Sequence, residues 1–296
     1  MVVKNNTVQS DVIDGIGLGL RTPYLKDIIT SRPKVKWFEI LADNFFNGTP
    51  QLLSDLETLR SLYPCSLHSV SLSIAGTDPL DRAYLRNLKK LAQRIQPTFI
   101  SDHLCWTSIH GIQLHTLMPL PYTEATLTHV SERISVVQEV LGTRILIENI
   151  AVYANFMDAT MSEGEFLAEL TKRSGCGLLV DLSNLIVNQT NVGTTPTEIL
   201  KRLPTPAIGY CHIGGFKRKE ACIVDTHAAP IDNAVLEFVK NLDPQMQSKP
   251  LMIEWDEDLP SFTVWLDEYK RIKQILRKDH EESERDPGTI LSRNCG

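Results

Sequence analysis

The chain has no Cys-x-x-Cys pair, although six cysteines are spread over it (Cys65, Cys105, Cys176, Cys211, Cys222 and Cys295). In a sequence this long, unpaired spacings of that kind read as reduced thiols of a cytoplasmic protein and not as a disulfide frame. No stretch approaches the roughly 18 uninterrupted apolar residues of a membrane span. The opening, MVVKNNTVQSDVIDG, has no apolar core of a signal peptide. The expectation is a soluble, cytoplasmic protein with no membrane partner. No heptad persists, and Gly and Pro number only 16 each, which excludes a coiled-coil rod and a collagen. An excess of positive charge is missing as well: 30 Lys and Arg face 36 Asp and Glu, for a net charge of −6. That balance argues against a nonspecific nucleic-acid binder. Apolar material is plentiful, at 42% of 296 residues, so the chain as a whole is not disordered. The length suits two ordinary domains or one α/β barrel of about 250 residues.

Short apolar runs alternate with helical stretches. The runs are Ile16-Gly-Leu-Gly-Leu20, Val35-Lys-Trp-Phe-Glu-Ile-Leu41, Cys65-Ser-Leu-His-Ser-Val70, Thr98-Phe-Ile-Ser-Asp-His-Leu104, Arg144-Ile-Leu-Ile-Glu-Asn149, Gly177-Leu-Leu-Val-Asp-Leu182, Ala207-Ile-Gly-Tyr-Cys-His-Ile213 and Pro250-Leu-Met-Ile-Glu-Trp255. Such runs fit strands buried on both faces of a parallel sheet. Between them, residues 80–95 put Leu85, Leu88, Leu91, Ala92 and Ile95 on one helical face. Residues 123–141 form a second amphipathic helix, ended by Gly142. Ser162-Glu-Gly-Glu165 and Thr195-Pro-Thr-Glu198 read as capping boxes, and Ser261 as the cap of a last helix running to about Leu276. Eight strand–helix units predict an α/β fold, a single (β/α)8 TIM barrel over residues 13–276, with polar tails at 1–12 and 277–296. The rival is an open doubly wound sheet. It calls for GxGxxG after the first strand, and Gly15-Ile-Gly-Leu-Gly19 does not fit that pattern.

What ends each run carries the chemistry. His68 closes the third, Asp102-His103 the fourth and Glu148-Asn149 the fifth. Asp181 closes the sixth, with Asn184 just beyond, His212 the seventh and Glu254 the eighth. The loop after the seventh holds Asp225-Thr-His227. In a barrel all these ends lie on one rim, where active sites are built. Buried carboxylates and imidazoles are costly unless paired or metal-bound, and several carboxylates in one cavity invite a cation. Nitrogen and oxygen donors with no required thiolate suit Fe, Mn or Zn. There are more donors than one ion needs, so the expectation is a multinuclear site.

One strand-end His or Glu alone is usually a hydrogen-bonded or ion-paired core residue; six strands doing this together is hard to obtain from packing alone. Asn184 also fits a helix cap, and Asp225 an exposed turn. His110, His115, His129 and His280 read as surface or locally hydrogen-bonded residues. Asp102 is expected to point away from His103 and to serve packing or the support of ligands. On the residues alone, a divalent-metal barrel hydrolase or isomerase (an abasic-site endonuclease or a sugar isomerase) stays open, as does a metal-binding scaffold without catalysis.

At these residues the sequence resembles the multinuclear non-haem iron-dependent oxidases, a barrel family formerly of unknown function. The shared pieces are Gly15-Ile-Gly-Leu-Gly-Leu-Arg21, Trp37-Phe-Glu-Ile, Ser71-Leu-Ser-Ile, Ser101-Asp-His-Leu104, Leu146-Ile-Glu-Asn149, Asp181-Leu-Ser-Asn184, His212-Ile-Gly-Gly215, Asp225-Thr-His-Ala-Ala-Pro230 and Ile253-Glu-Trp-Asp256, over residues 15–270. The resemblance implies two or three irons of mixed Fe(II)/Fe(III) state, with dioxygen as co-substrate. His68, His103 and Glu148 would hold one iron. Glu148 would bridge to a second, held by Asp181, His212 and Glu254. Asn184, Asp225 and His227 would hold a third. Glu148, Asp181 and Glu254 would carry catalysis.

The implied substrate is a cysteine in a ribosomally made precursor peptide, presented by a small partner protein. Two kinds of member are similar. One excises the β-carbon of a C-terminal cysteine in thiaglutamate biosynthesis; the other converts cysteines to oxazolone and thioamide in methanobactin biosynthesis. Asp78-Pro-Leu-Asp81 and Met118-Pro-Leu-Pro-Tyr122 favour the thiaglutamate type slightly. Loops 44–50 and 216–225 are the expected peptide rim, where Lys217, Arg218 and Lys219 would attract an acidic segment or simply be solvated.

Overall fold

The computed structural model of the protein describes residues 12–285. Eight parallel strands close into a barrel: β1 (Ile16–Leu20), β2 (Phe38–Leu41), β3 (Cys65–His68), β4 (Ile100–His103), β7 (Leu146–Glu148), β8 (Gly177–Asp181), β9 (Ile208–Gly214) and β12 (Leu251–Glu254). They follow one another around the barrel, and β12 closes it by pairing with β1. Every one falls within, or one residue beyond, an apolar run of the sequence.

Around them lie α1 (Leu25–Ser31), α2 (Pro50–Leu62), α3 (Arg82–Ile95), α4 (Glu124–Leu141), α5 (Glu163–Ser174), α6 (Leu182–Val192), α7 (Pro196–Arg202), α8 (Asn233–Lys240), α9 (Pro244–Gln247) and α10 (Phe262–Arg285). The Ser162 box caps α5: Ser162 Oγ accepts from Glu165 N at 3.3 Å, and Glu165 Oε2 accepts from Ser162 N at 2.9 Å. The Thr195 box does not form. Glu198 N donates to the main-chain carbonyl of Thr195 at 3.0 Å, which leaves no orphan donor for the hydroxyl, and the Glu198 carboxylate pairs with Lys201. The last helix continues past Leu276 through part of the expected tail. Residues 277–285 are polar, but six of the nine are the good helix formers Arg, Lys and Glu, so polarity alone misplaces its end. The rest of both expected tails, with Cys295, lies outside the described residues.

The barrel interior is layered by strand periodicity. Trp37, Leu146, Leu179, Tyr210 and Met252 pack with Ile13 into a small inner core distinct from the large core between strands and helices. Side chains two residues further along a strand share its face. The positions above that plug are therefore Glu39, Glu148, Asp181, His212 and Glu254, all buried. Gly17 makes room for the plug: a Cβ there would stand 2.4 Å from the Trp37 indole. The glycine-rich first strand thus serves barrel packing and not a phosphate turn.

Two antiparallel hairpins add to the expected elements, β5 (Trp106–Ile109) with β6 (Ile112–Met118), and β10 (Phe216–Arg218) with β11 (Ile223–Asp225). Both follow barrel strands and so stand over the C-terminal rim.

Candidate metal centre

The strand ends deliver their donors to one place. His68 Nε2 lies 3.3 Å from His103 Nε2, and both lie 3.4 Å from Glu148 Oε2. The other Glu148 oxygen, Oε1, is 3.0 Å from His212 Nδ1, which is 3.2 Å from Glu254 Oε2. Asp181 completes that second group. Glu254 Oε2 is in turn 3.1 Å from His227 Nδ1, beside which Asp256 Oδ2 sits at 3.2 Å. His227 Nε2 faces Asp225 Oδ1 at 2.9 Å and Asp181 Oδ2 at 3.5 Å. Three donor groups are thus linked by shared carboxylates, Glu148 between the first and second and Glu254 between the second and third. Donor separations of roughly 3.0–3.5 Å are those of ligands sharing an ion at about 2.0–2.2 Å each.

The contacts are close, yet many are not hydrogen bonds. Glu148 Oε2, Asp181 Oδ2, Asn184 Oδ1, His212 Nδ1, Asp225 Oδ1 and His227 Nε2 are buried with no aligned partner. A buried polar atom left unsatisfied costs about 1–3 kcal/mol. So many converging in one cavity fit a site built to hold a cation. The hard oxygen and imidazole donors, with no thiol among them, suit iron, manganese or zinc.

Electrostatics point the same way. Burial, reinforced by His103 and His212, holds His68 well below the usual imidazole range, and burial takes His103 down to about 4. Both are therefore neutral, the ligand form. Burial raises Glu148 to about 7 and Asp181 well above the usual carboxylate range. Burial opposes charge on His212 and His227 too, but the carboxylates around them, Glu39 foremost at His212 and Asp225 at His227, override it and hold both high. Burial would raise Glu254; His212 and His227 beside it hold it low instead. Without a cation the cavity is a set of mutually frustrated charges.

Each expected residue can be placed. His68, His103, Glu148, Asp181, His212, His227 and Glu254 converge as described. Asn184 lines the mouth with its Oδ1 unpartnered; the cap of α6 is Asp181, whose Oδ1 accepts from Asn184 N at 2.8 Å. Asp225 is not in an exposed turn but in β11 against His227. Asp102 faces away from the cavity and accepts from Ser69 Oγ at 2.7 Å and Leu72 N at 3.2 Å, tying down the chain after β3. His129 hydrogen-bonds Gly76 O, and His110 sits in the exposed β5–β6 turn. His115 is exposed but not remote: with Gln113 it lines the mouth. The His280 side chain lies outside the described residues.

Sequence reasoning missed Glu39, Arg21 and Asp256. Glu39 Oε2 holds the far side of His212, Nε2, at 3.0 Å. Arg21 is buried, pairs with Asp256, stands 3.5 Å from Glu254 Oε1 and donates from Nε to Trp255 O. A Glu at the inward register of an apolar run was the available signal for Glu39. Two of the three rim cations are already engaged: Lys217 pairs with Asp258 at 2.7 Å and Arg218 with Asp232 at 3.5 Å. The cavity itself measures about 910 Å³ and is walled by both hairpins.

His227 adopts a left-handed φ of 42°, uncommon outside glycine, and its ring occupies the space a side chain at residue 214 would take. A Cβ on Gly214 would stand 1.9 Å from His227 Cδ2. Gly214→Ala is expected to cost about 1–3 kcal/mol by overpacking and to empty the His227 group of metal while sparing the His68 group. Thermal unfolding and metal content of the variant check this.

Among known proteins, the family described as RiPP precursor modification enzyme MbnB/TglH/ChrH matches residues 15–277. The chain belongs to this family. A UPF0276 protein of Acaryochloris marina is 42% identical over 269 residues, covering 91% of this chain and 97% of that protein. Among solved structures, an L-ribulose 3-epimerase superposes with a TM-score of 0.59 at 12% identity, covering 96% of this chain and 100% of that one. Endonuclease IV from Thermus thermophilus does so with a TM-score of 0.55 at 14% identity, covering 90% and 99%. At those identities the likeness is one of fold, the closed barrel. The RiPP precursor modification family is the functional relation, and it makes the chain an enzyme of peptide-modifying type with clustered residues able to bind metal ions. No helix among the described residues is long and apolar enough to cross a membrane.

Proposed function

We propose that this chain is an iron- and dioxygen-dependent oxidase acting on cysteine in a ribosomally made precursor peptide. The observation that carries the reading is Glu148. Its two oxygens face two different donor groups in a cavity of unsatisfied donors, so this one residue would serve both groups if each held an ion. His68, His103 and Glu148 would hold one iron, Glu148, Asp181, His212 and Glu254 a second, and His227 with Asn184 and Asp225 a third. Asp256 and Glu254 face the other ring nitrogen of His227, Nδ1, so they would offer an alternative third set and not an addition to this one. Bound there, iron supplies one-electron oxidation and dioxygen activation.

The protein's own part follows from its geometry. The cavity is wide enough for an extended peptide end, and its hairpins, Tyr153 and Asn44 form the walls that would position the cysteine. The thiol must lose its proton on binding. Asp256, 41% exposed at the rim, is the site carboxylate best placed to pass that proton to water. Excision of the β-carbon of a C-terminal cysteine is the preferred outcome, with oxazolone and thioamide formation as the other member of the class. A small partner protein presents the peptide, and the reaction is cytoplasmic.

The competing reading is a divalent-metal hydrolase or isomerase, favoured only by the shared barrel. Metal analysis by mass spectrometry, with dioxygen uptake in the presence of a cysteine peptide, separates the two. Two or three irons per chain with peptide-dependent uptake is expected. Zinc alone, with no uptake, would contradict the proposal.

A further inference from the structure

Beneath the cavity a single file of hydrogen bonds joins the backs of two histidines from opposite sides of the barrel. His68 Nδ1 is 2.8 Å from Ser101 Oγ, and Ser101 Oγ is 3.0 Å from the Tyr210 hydroxyl. That hydroxyl donates to Glu39 Oε2 at 2.5 Å, and the same oxygen lies 3.0 Å from His212 Nε2. All five residues are buried, with exposures of 0–3%. The file starts in the polar layer and dips into the apolar plug at Tyr210, so no water competes along it.

The direction of every proton in this file follows from its one acceptor. A carboxylate oxygen accepts. The Tyr210 proton is therefore committed to Glu39, and the Tyr210 oxygen can only receive. It receives the Ser101 proton, so the Ser101 oxygen in turn receives, and its donor is N–H at His68 Nδ1. At the other end, His212 must present Nε2–H to Glu39. Which ring nitrogen carries the proton decides which carries the lone pair for a metal. We propose that Glu39, acting through Tyr210 and Ser101, sets the tautomers of both histidines at once, so that His68 meets the metal through Nε2 and His212 through Nδ1. Those are the two atoms that face Glu148. Glu39, Tyr210 and Ser101 are then positioning residues that tie the first and second donor groups together. This rests on the metal-centre reading above, but the tautomer claim can be read without metal.

Tyr210→Phe cuts the file in the middle and keeps the ring packing. Ser101 loses its acceptor and is free to donate to His68 Nδ1, which puts the ring proton on Nε2 and leaves no lone pair facing the cavity. Glu39 still holds His212. With Fe(II) added anaerobically to the metal-free full chain, the variant is expected to bind the ion of the His68 group about 10–100-fold more weakly, the range for loss of such support. The ion of the His212 group should change by no more than about twofold. Ser101→Ala should behave the same way. Glu39→Ala should weaken both ions, and Glu39→Gln, which retains an acceptor oxygen, should restore part of the loss.

¹⁵N-histidine spectra of the metal-free protein should show His68 as the Nδ1–H tautomer in the wild type and a shift toward Nε2–H in Tyr210→Phe. Unchanged Fe(II) affinities in Tyr210→Phe, or a wild-type His68 already protonated at Nε2, would overturn the proposal. A wild type that takes up no Fe(II) while its His68 is the Nδ1–H tautomer would overturn the metal-centre reading and leave the hydrogen-bonded file intact.

Discussion

Glu148→Ala is expected to abolish turnover and to strip the protein of most of its metal, while the barrel still folds. Glu148 belongs to two donor groups, so its removal takes a ligand from two ions at once. Support residues around a metal ligand are worth roughly 10–100-fold in affinity or activity. Loss of a shared ligand should exceed that, at least about a hundredfold for each ion. Folding should survive because the carboxylate is a burden to the metal-free protein: burial foremost, with Glu254 and Glu39, raises it to about 7 against the opposing pull of His212. Metal-free Glu148→Ala should therefore melt no lower than the metal-free wild type. Glu254→Ala should likewise take metal from the second and third groups, but it should also lower the melting temperature of the metal-free protein, because His212 and His227 beside it hold this carboxylate low. A Glu148→Ala variant with wild-type metal content and turnover would show that the carboxylate has been misassigned.

Removing metal from the wild type should lower its melting temperature by at least about 5 °C, and the gap should widen with pH. An ion present at a hundred times its dissociation constant stabilises by about 2.7 kcal/mol, and each kcal/mol shifts a domain of roughly this size by about 2–4 °C. Between pH 5.5 and 8 two groups held low, His68 and His103, regain stability as pH rises to about 6.5, but they are outnumbered by the four held high, Glu148, Asp181, His212 and His227, so the sum loses stability with pH. Glu148 titrates near 7 in the folded chain against about 4.5 unfolded, so the folded state holds that proton more tightly and metal-free stability falls as pH rises across that window. His212 and His227, raised by their carboxylates, contribute stability that is complete below about 6.5 and lost as pH climbs through their higher folded values. Glu254 runs the other way, but its window lies below the unfolded carboxylate value. Metal displaces the protons concerned, so its affinity rises over the same interval. Melting curves with and without a chelator at pH 5.5 and 8 measure this. A gap that narrows at pH 8 would contradict it.

The architecture was readable because parallel strands buried on both faces leave continuous apolar runs, and because the inward position at each rim breaks that run with His, Asp or Glu. His68, His103, Glu148, Asp181 and Glu254 each end the strand in which they were sought. The hairpins escaped notice because β6, Ile112-Gln-Leu-His-Thr-Leu-Met118, is half exposed and its apolar residues are interrupted. Those interruptions make His115 read as a surface residue, whereas it lines the mouth. Glu39 lies inside its run and not at its end; its meaning appears only when the barrel closes and brings His212 of β9 across the interior from β2. Asp256 lies beyond its strand, and only the turn that brings it to His227 and Arg21 reveals it. Pairings between distant segments leave no local pattern in a sequence.

The most direct measurement is the mass of a cysteine-containing precursor peptide after incubation with the iron-loaded protein and its partner protein, in air and under argon. The account predicts a mass change at the cysteine in air only, absent when the cysteine is replaced by serine, and much slower on free cysteine. An unchanged peptide, or free cysteine consumed at the same rate, would contradict it.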